Sequence, residues 1–269
     1  MSRLHDPQST LETKQYPIQS VGVTQLNYPG CFRDALSGVT QQTAAKWNMS
    51  VALPAEKRGT HMSRFIDELH KNCREPMDLA GLSAFAERLR IRLEAPSAAV
   101  TAEFTWFREV KAPVSGMASM VDYRVTYGAR AIAGELPSAS LRLYLPATSV
   151  CPCSKAISDR GAHNQRSYLD VCLDFAPGVT ETPAIDHLLQ IIEGAASSPV
   201  YSLLKREDEK FVTEAAYDNP VFVETLVRNA ADRLIDLTDR AAIRIEGLNQ
   251  ESIHAHDCYA VLSLPFRGS

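Results

Sequence analysis

Strand-like alternation flanking a pair of helical patterns occurs twice along this chain of 269 residues, and that repeat limits the folds open to it. In the first half, apolar and β-branched runs cover residues 18–26 and 40–53, with a break expected at Pro29-Gly30. Phe65, Ile66, Leu69 and Cys73 then recur at helical spacing over residues 61–73. Leu82, Phe85, Leu89 and Leu93 mark a second stripe. Val100, Ala102, Phe104 and Trp106 alternate with polar neighbours, and residues 120–133 and 141–145 continue as strands. The second half repeats the order. A strand pattern at 167–175 precedes a helix carrying Ile185, Leu188, Leu189 and Ile192. Asn219-Pro220 is read as opening another helix with Phe222, Val223, Leu226, Ala230 and Leu234 on its apolar face, because proline suits a first turn. Residues 242–246 and 259–266 return to strands.

These patterns predict an α+β protein built from a duplicated β-α-α-β unit, with antiparallel sheets and helices on one side. They divide the chain into a flexible leader, 1–16, a first unit, 17–146, and a second, 147–269. An apolar content of 45% suits a buried core of ordinary size. The net charge of −4, with signs mixed, gives no general basic surface for nucleic acid. No run of about eighteen apolar residues predicts a membrane span, and residues 1–15 lack the apolar core of a signal peptide. Six cysteines in so long a chain make no disulfide scaffold; reduced thiols in the cytoplasm are expected.

Chemistry concentrates between Thr148 and Ser167, where Cys151-Pro152-Cys153 is followed by Lys155, Arg160, Gly161 and His163. Thiolate and imidazole are preferred ligands of zinc and related metals. Proline between the two cysteines favours an extended turn, which makes joint ligation by both awkward and leaves one as ligand and one as support. The plain alternative is a pair of buried structural cysteines, packing as small hydrophobes. His163 is either a ligand or a hydrogen-bonded structural residue, and the polar run Asn164-Gln165-Arg166 before a buried strand requires partners. In Ile253-His254-Ala255-His256-Asp257, an extended backbone would put both imidazoles on one face, one as ligand and one as acid/base; the alternative is an exposed polar turn. The charged run Arg206-Glu207-Asp208-Glu209-Lys210 reads as a solvated face that could lend a carboxylate. Glu224, between apolar Val223 and Leu226, could accept two hydrogen bonds from a planar N–H/NH2 edge such as that of guanine, or be a helix surface charge. His61, His70 and His187 read as structural. Neither a Walker nor a Rossmann glycine pattern is present.

Thr148-Ser149-Val150-Cys151-Pro152-Cys153-Ser154-Lys155 with Gly161-Ala162-His163-Asn164-Gln165-Arg166 resembles the signature of the type IB GTP cyclohydrolases. The likeness continues through Leu204 to Lys210, Tyr217-Asp218-Asn219-Pro220 and Ser252 to Asp257, spanning nearly the whole chain. Ala156 departs from an acidic residue of the family pattern, and Asp159-Arg160 from its aromatic variant; neither is a proposed ligand. The resemblance implies a tunnelling fold, a homotetramer with sites at subunit interfaces, and hydrolysis of GTP to 7,8-dihydroneopterin triphosphate and formate. It implies one divalent metal per site (Zn, Mn or Fe) held by Cys151, His163, Glu209 and His254, with Glu224 as purine anchor and Cys153 as a supporting thiol. His256 is the candidate acid/base. Lys155, Arg160, Arg166, Lys205 and Arg206 are candidate triphosphate cations. The rival readings are a nitrile oxidoreductase of the same fold, using Cys151 as nucleophile, and a non-catalytic metal-binding assembly protein.

Overall fold

The computed structural model describes residues 11–14, 16–179 and 182–268. The predicted leader, 1–16, lies mostly outside them. The strands, in hydrogen-bonded order, run β1 (Ile18–Arg33), β2 (Thr40–Leu53), β3 (Ser97–Lys111), β4 (Ala118–Ile132), β5 (Ser138–Val150), β6 (Asn164–Phe175), β8 (Ala241–Gln250) and β9 (Cys258–Leu264), with β7 (Ser198–Pro199) on β5. By contacts the chain forms two units that are not contiguous halves. The first runs through Phe104 and adds Thr126–Leu141 and Phe175–Thr182; the second comprises Thr105–Val125, Arg142–Asp174 and Pro183–Ser269. The boundary read from sequence, near residue 146, falls inside β5, and β3, β4, β5 and β6 each supply residues to both units.

In the first unit, β1 and β2 pair antiparallel, with Asn27 opposite Lys46 and Gly30 opposite Thr43, and β2 pairs β3 from Ala45–Phe104 to Val51–Ala98. β2 alternates strictly: Ala45, Trp47, Met49, Val51 and Leu53 are buried between more exposed neighbours. That is the period-two pattern of a strand with one buried face. Helices α1 (Met62–Asn72) and α2 (Leu79–Arg92) bring Phe65, Leu69, Leu82, Phe85 and Leu89 into the same core. Phe85 meets Trp47 edge-on at 6.3 Å between ring centroids, and Phe32 stacks on Phe104. Burying rings of this size stabilises the unit by about 2–3 kcal/mol each relative to exposure. Pro29-Gly30 does not break the first strand as expected. β1 ends the strand order, and proline without an N–H is tolerated on an edge strand. Irregularity falls instead between Ile18 and Val21 and between Val23 and Leu26, with Gln25 at φ 55°.

The second unit carries α3 (Pro152–Ile157), α4 (Ile185–Glu193), α5 (Arg206–Asp218) and α6 (Val223–Leu234). α6 packs on β8, where a Cβ on Gly247 would come within 3.0 Å of the Val227 side chain, so the missing side chain lets helix and strand approach closely. β8 and β9 pair antiparallel from Ile243–Leu264 to Asn249–Cys258. Two readings change here. The charged run at 206–210 opens a complete helix, which periodicity missed because only Asp208 and Ala216 are buried on it. Pro220 precedes α6 rather than entering its first turn; Phe222 is the N-cap residue. Among the described residues no helix is long and apolar enough to cross a membrane.

Candidate active site

Cys151 follows β5 directly and caps α3, while Pro152 occupies the first turn of that helix. The expected extended turn is therefore a helix start, where a proline lacking its N–H costs nothing. A closed set of hydrogen bonds ties the two ends of the segment 151–163 together. Cys151 N–H donates to the His163 carbonyl at 3.0 Å, and His163 N–H donates to Ser154 Oγ at 3.2 Å. Ser154 Oγ donates to the Cys151 carbonyl at 3.1 Å. Gly161, at φ +131°, supplies the backbone conformation that brings the chain back. Two residues separated in sequence thus become backbone neighbours.

His163 Nδ1 lies 3.1 Å from Gln165 Oε1. An amide oxygen can only accept, so the contact places the proton on Nδ1 and leaves the Nε2 lone pair free, the arrangement found behind metal-binding histidines. The Ser252 hydroxyl also approaches this nitrogen, with Oγ at 3.4 Å. The segment 251–257 is a bend rather than the extended stretch assumed from sequence. His254 and His256 nevertheless share a side, with their rings stacked at 5.2 Å and 16°.

A cavity of about 560 Å³ in the second unit is lined by Cys151, His163, Glu224, His254 and His256 together with Gln165. Cys153 also lines it, as do Glu251, Asp257, Asn249 and Cys258. Glu224 stands exposed in the first turn of α6, a helix whose start has no side-chain cap. The donor set fits a divalent metal in kind: thiols, imidazoles and carboxylates on a shared cavity. Among the described residues, however, no three His, Cys, Asp or Glu side chains are gathered closely enough to enclose one.

Other candidates lie apart. Glu209, Lys205 and Arg206 are exposed at the start of α5 and do not line the cavity. Their position is set by Asp208, which is fully buried and accepts from Val114 N–H, Ser115 N–H, the Ser115 hydroxyl and Lys205 N–H at 2.7–2.9 Å. Burial alone would raise the Asp208 pKa, but these hydrogen bonds outweigh it and hold the carboxyl well below the usual range. Lys155 is engaged: Nζ donates to the Tyr217 carbonyl at 2.5 Å and sits 4.2 Å from the Tyr217 ring centroid. Arg166 and Arg160 are exposed and do not line the cavity. His70, read as structural, bonds Tyr28 Oη at 2.7 Å. Sequence reasoning passed over Gln165, Asn249 and Asp208 as functional residues. Only Gln165 carried a signal, the polar run before a buried strand.

The family model for type I GTP cyclohydrolase folE2 (GCHY-1) matches residues 4–260. The chain belongs to that family. Its FolE2 relatives include GTP cyclohydrolase FolE2 of Bordetella petrii, 46% identical over 257 residues covering 96% of this chain and 95% of that protein. The FolE2 of Burkholderia ambifaria is 45% identical over 262 residues, covering 96% and 93%. Among solved structures, the uricase of Arthrobacter globiformis matches with a TM-score of 0.57 at 6% identity, over 93% of this chain and 94% of that one. The urate oxidase of Bacillus sp. TB-90 matches at 0.52 and 11%, over 92% and 100%. At such identities the likeness concerns the fold alone: a tunnelling fold, as the family resemblance implied, with the α+β antiparallel strands and helices on one side that the repeat predicted.

Proposed function

We propose that this FolE2 chain hydrolyses GTP to 7,8-dihydroneopterin triphosphate and formate in the cytoplasm, the first step of tetrahydrofolate synthesis, as an enzyme of the type IB subdivision. The observation that carries the reading is the single cavity that gathers Cys151, His163, His254, His256 and Glu224 in a chain of this family. Cys151, His163 and His254 would hold a divalent metal (Zn, Mn or Fe), with Gln165 fixing the His163 tautomer. Such a metal, when bound, supplies Lewis acidity and a water of lowered pKa. Glu209 does not line the cavity, so a shell that includes it draws it from a second copy, in the homotetramer that the reading includes.

Glu224 accepts from the N1–H and N2–H2 groups of guanine and so fixes the purine by a pattern adenine cannot match. Hydrolysis at C8 opens the imidazole ring to a formamide, a second hydrolysis releases C8 as formate, and ribose carbons close the pterin ring. Each stage moves protons, and His256, stacked on His254 and open to solvent, exchanges them. Lys205, Arg206 and Arg166 serve the triphosphate. Lys155 would join them only by releasing the Tyr217 carbonyl.

Purified protein with GTP and each of Zn, Mn and Fe is expected to yield a pteridine, fluorescent after oxidation, with one formate per GTP. No product with any of the three metals overturns the reading and favours a metal-binding assembly protein. In the same assay His256→Ala is expected to slow turnover by roughly 10²–10⁴-fold; unchanged turnover removes its acid/base role.

A further inference from the structure

Two buried side-chain amides line the cavity, Gln165 and Asn249, and both have their oxygens committed behind it. Gln165 Oε1 accepts from His163. Asn249, 2% exposed, lies at the cavity end of a buried relay: Ser167 Oγ donates to Asn249 Oδ1 at 2.6 Å and lies 2.8 Å from Ser149 Oγ. Ser149 and Ser167 are wholly buried. Ser167 has one proton; placed on Asn249 Oδ1, the shorter of its two contacts, it leaves the Ser167 oxygen to accept from Ser149. With Oδ1 taken by Ser167, Nδ2 and its two N–H groups are the other end of an amide that lines the cavity. The relay joins the neighbouring strands β5, β6 and β8, and its bond to Asn249 uses only the oxygen of the amide.

We propose that Asn249 is a specificity-determining residue that donates a hydrogen bond to the O6–N7 acceptor edge of the purine. The inference rests on the GTP reading of this cavity and deepens it. Guanine presents two donors on its N1–N2 side and two acceptors at O6 and N7, while adenine carries an amino group where guanine has O6. The cavity offers the matching pair: the Glu224 carboxylate, which can only accept, and the Asn249 amide, turned to donate. Adenine would set its N6 amino group against the Asn249 N–H groups and leave a buried donor unpaired, which penalises the wrong base far more than a missing apolar contact does.

The test uses the metal-loaded enzyme and two analogues that keep the donor edge of guanine. 7-Deaza-GTP lacks the N7 acceptor and is followed as a competitive inhibitor; 6-thio-GTP weakens the acceptor at position 6 and is followed by kcat/KM. Wild type is expected to disfavour at least one of them, relative to GTP, by about tenfold. In Asn249→Leu that ratio should fall towards one, while GTP itself loses about tenfold in kcat/KM, carried by KM. Ratios that are the same in wild type and variant, or a wild type indifferent to both analogues, overturn the assignment. Asn249→Asp keeps the size and the bond from Ser167, so it serves if the leucine variant does not fold; it replaces the donor with an acceptor and should lower the preference for GTP over ATP in binding. An unchanged preference counts against the proposal. A wild type that forms no pteridine from GTP refutes the functional reading itself, whereas normal turnover with unmoved ratios removes only the role of Asn249.

Discussion

In the first unit the turn after β1 and the start of α2 are closed by their own side chains; in the second, the segment after β5 and the start of α6 are left facing a cavity. Asp34, buried in the short turn 34–39, accepts from Leu36 N–H and Ser37 N–H. Asp78 caps α2 through Gly81 N–H at 2.8 Å and receives Arg33 Nη2 at 2.5 Å. These strong polar groups are matched locally. The longer connection 151–163 instead folds into α3, α6 begins on Phe222 with no side-chain cap, and Glu224 in its first turn is exposed. One frame used twice can thus serve stability in one copy and leave unmatched groups for a ligand in the other. A helix start can be completed by its own aspartate or kept open, and only the open one has donors and acceptors to spend on substrate.

Substitutions in the two regions should separate these roles, and the largest effect is expected in the open one. Glu224→Gln replaces an acceptor-only group by one that also donates, and kcat/KM for GTP should fall by about 100-fold with the thermal midpoint little changed. A folded variant with normal kcat/KM would mean that Glu224 is a surface charge. Behind the site, Gln165→Leu removes the acceptor on His163 Nδ1 and should weaken metal affinity by about 10–100-fold, read by competition with a chelator. Equal affinity would sever Gln165 from the metal. The closed region should answer in stability alone: Asp78→Ala loses a cap and an ion pair, costing about 1–2 kcal/mol in denaturant unfolding, with turnover per folded molecule unchanged. Loss of turnover there would blur the distinction between the units.

A further effect concerns acid. The Asp208 pKa is depressed, so its hydrogen bonds stabilise the folded state above the ordinary aspartate range, and that contribution is lost as pH falls below it. Asp208→Asn should be less stable at neutral pH and should lose less stability on acidification than wild type does. Parallel stability–pH curves would show that the Val114–Ser115 anchor does not depend on the charge.

Much of this contrast was legible in the residues. β2, α1 and α2 stand close to where their periodicity placed them, because each buries one face and the spacing of apolar residues reports that face directly. Periodicity failed at α5, a mostly solvated helix, and at Pro29-Gly30, where an edge strand tolerates a sequence that a central strand would not. Cys151, His163, Glu224, His254 and His256 were named from residue type and pattern, and all five line one cavity. Glu209 was singled out by the family resemblance and does not line it.

The sequence by itself determined the repeated α+β order and the residue types able to bind a metal or a purine, because these depend on composition and spacing along the chain, and its motifs carried the resemblance to the family. Only the tertiary structure decided which groups meet and which way they face. The ring of hydrogen bonds that closes 151–163 makes Cys151 and His163 neighbours, and the acceptor on Nδ1 selects the free nitrogen of His163. Ser167 on β6 meets the Asn249 amide on β8. Each depends on contacts between residues distant in sequence or on the orientation of a side chain, and none of them leaves a mark in the local order of amino acids.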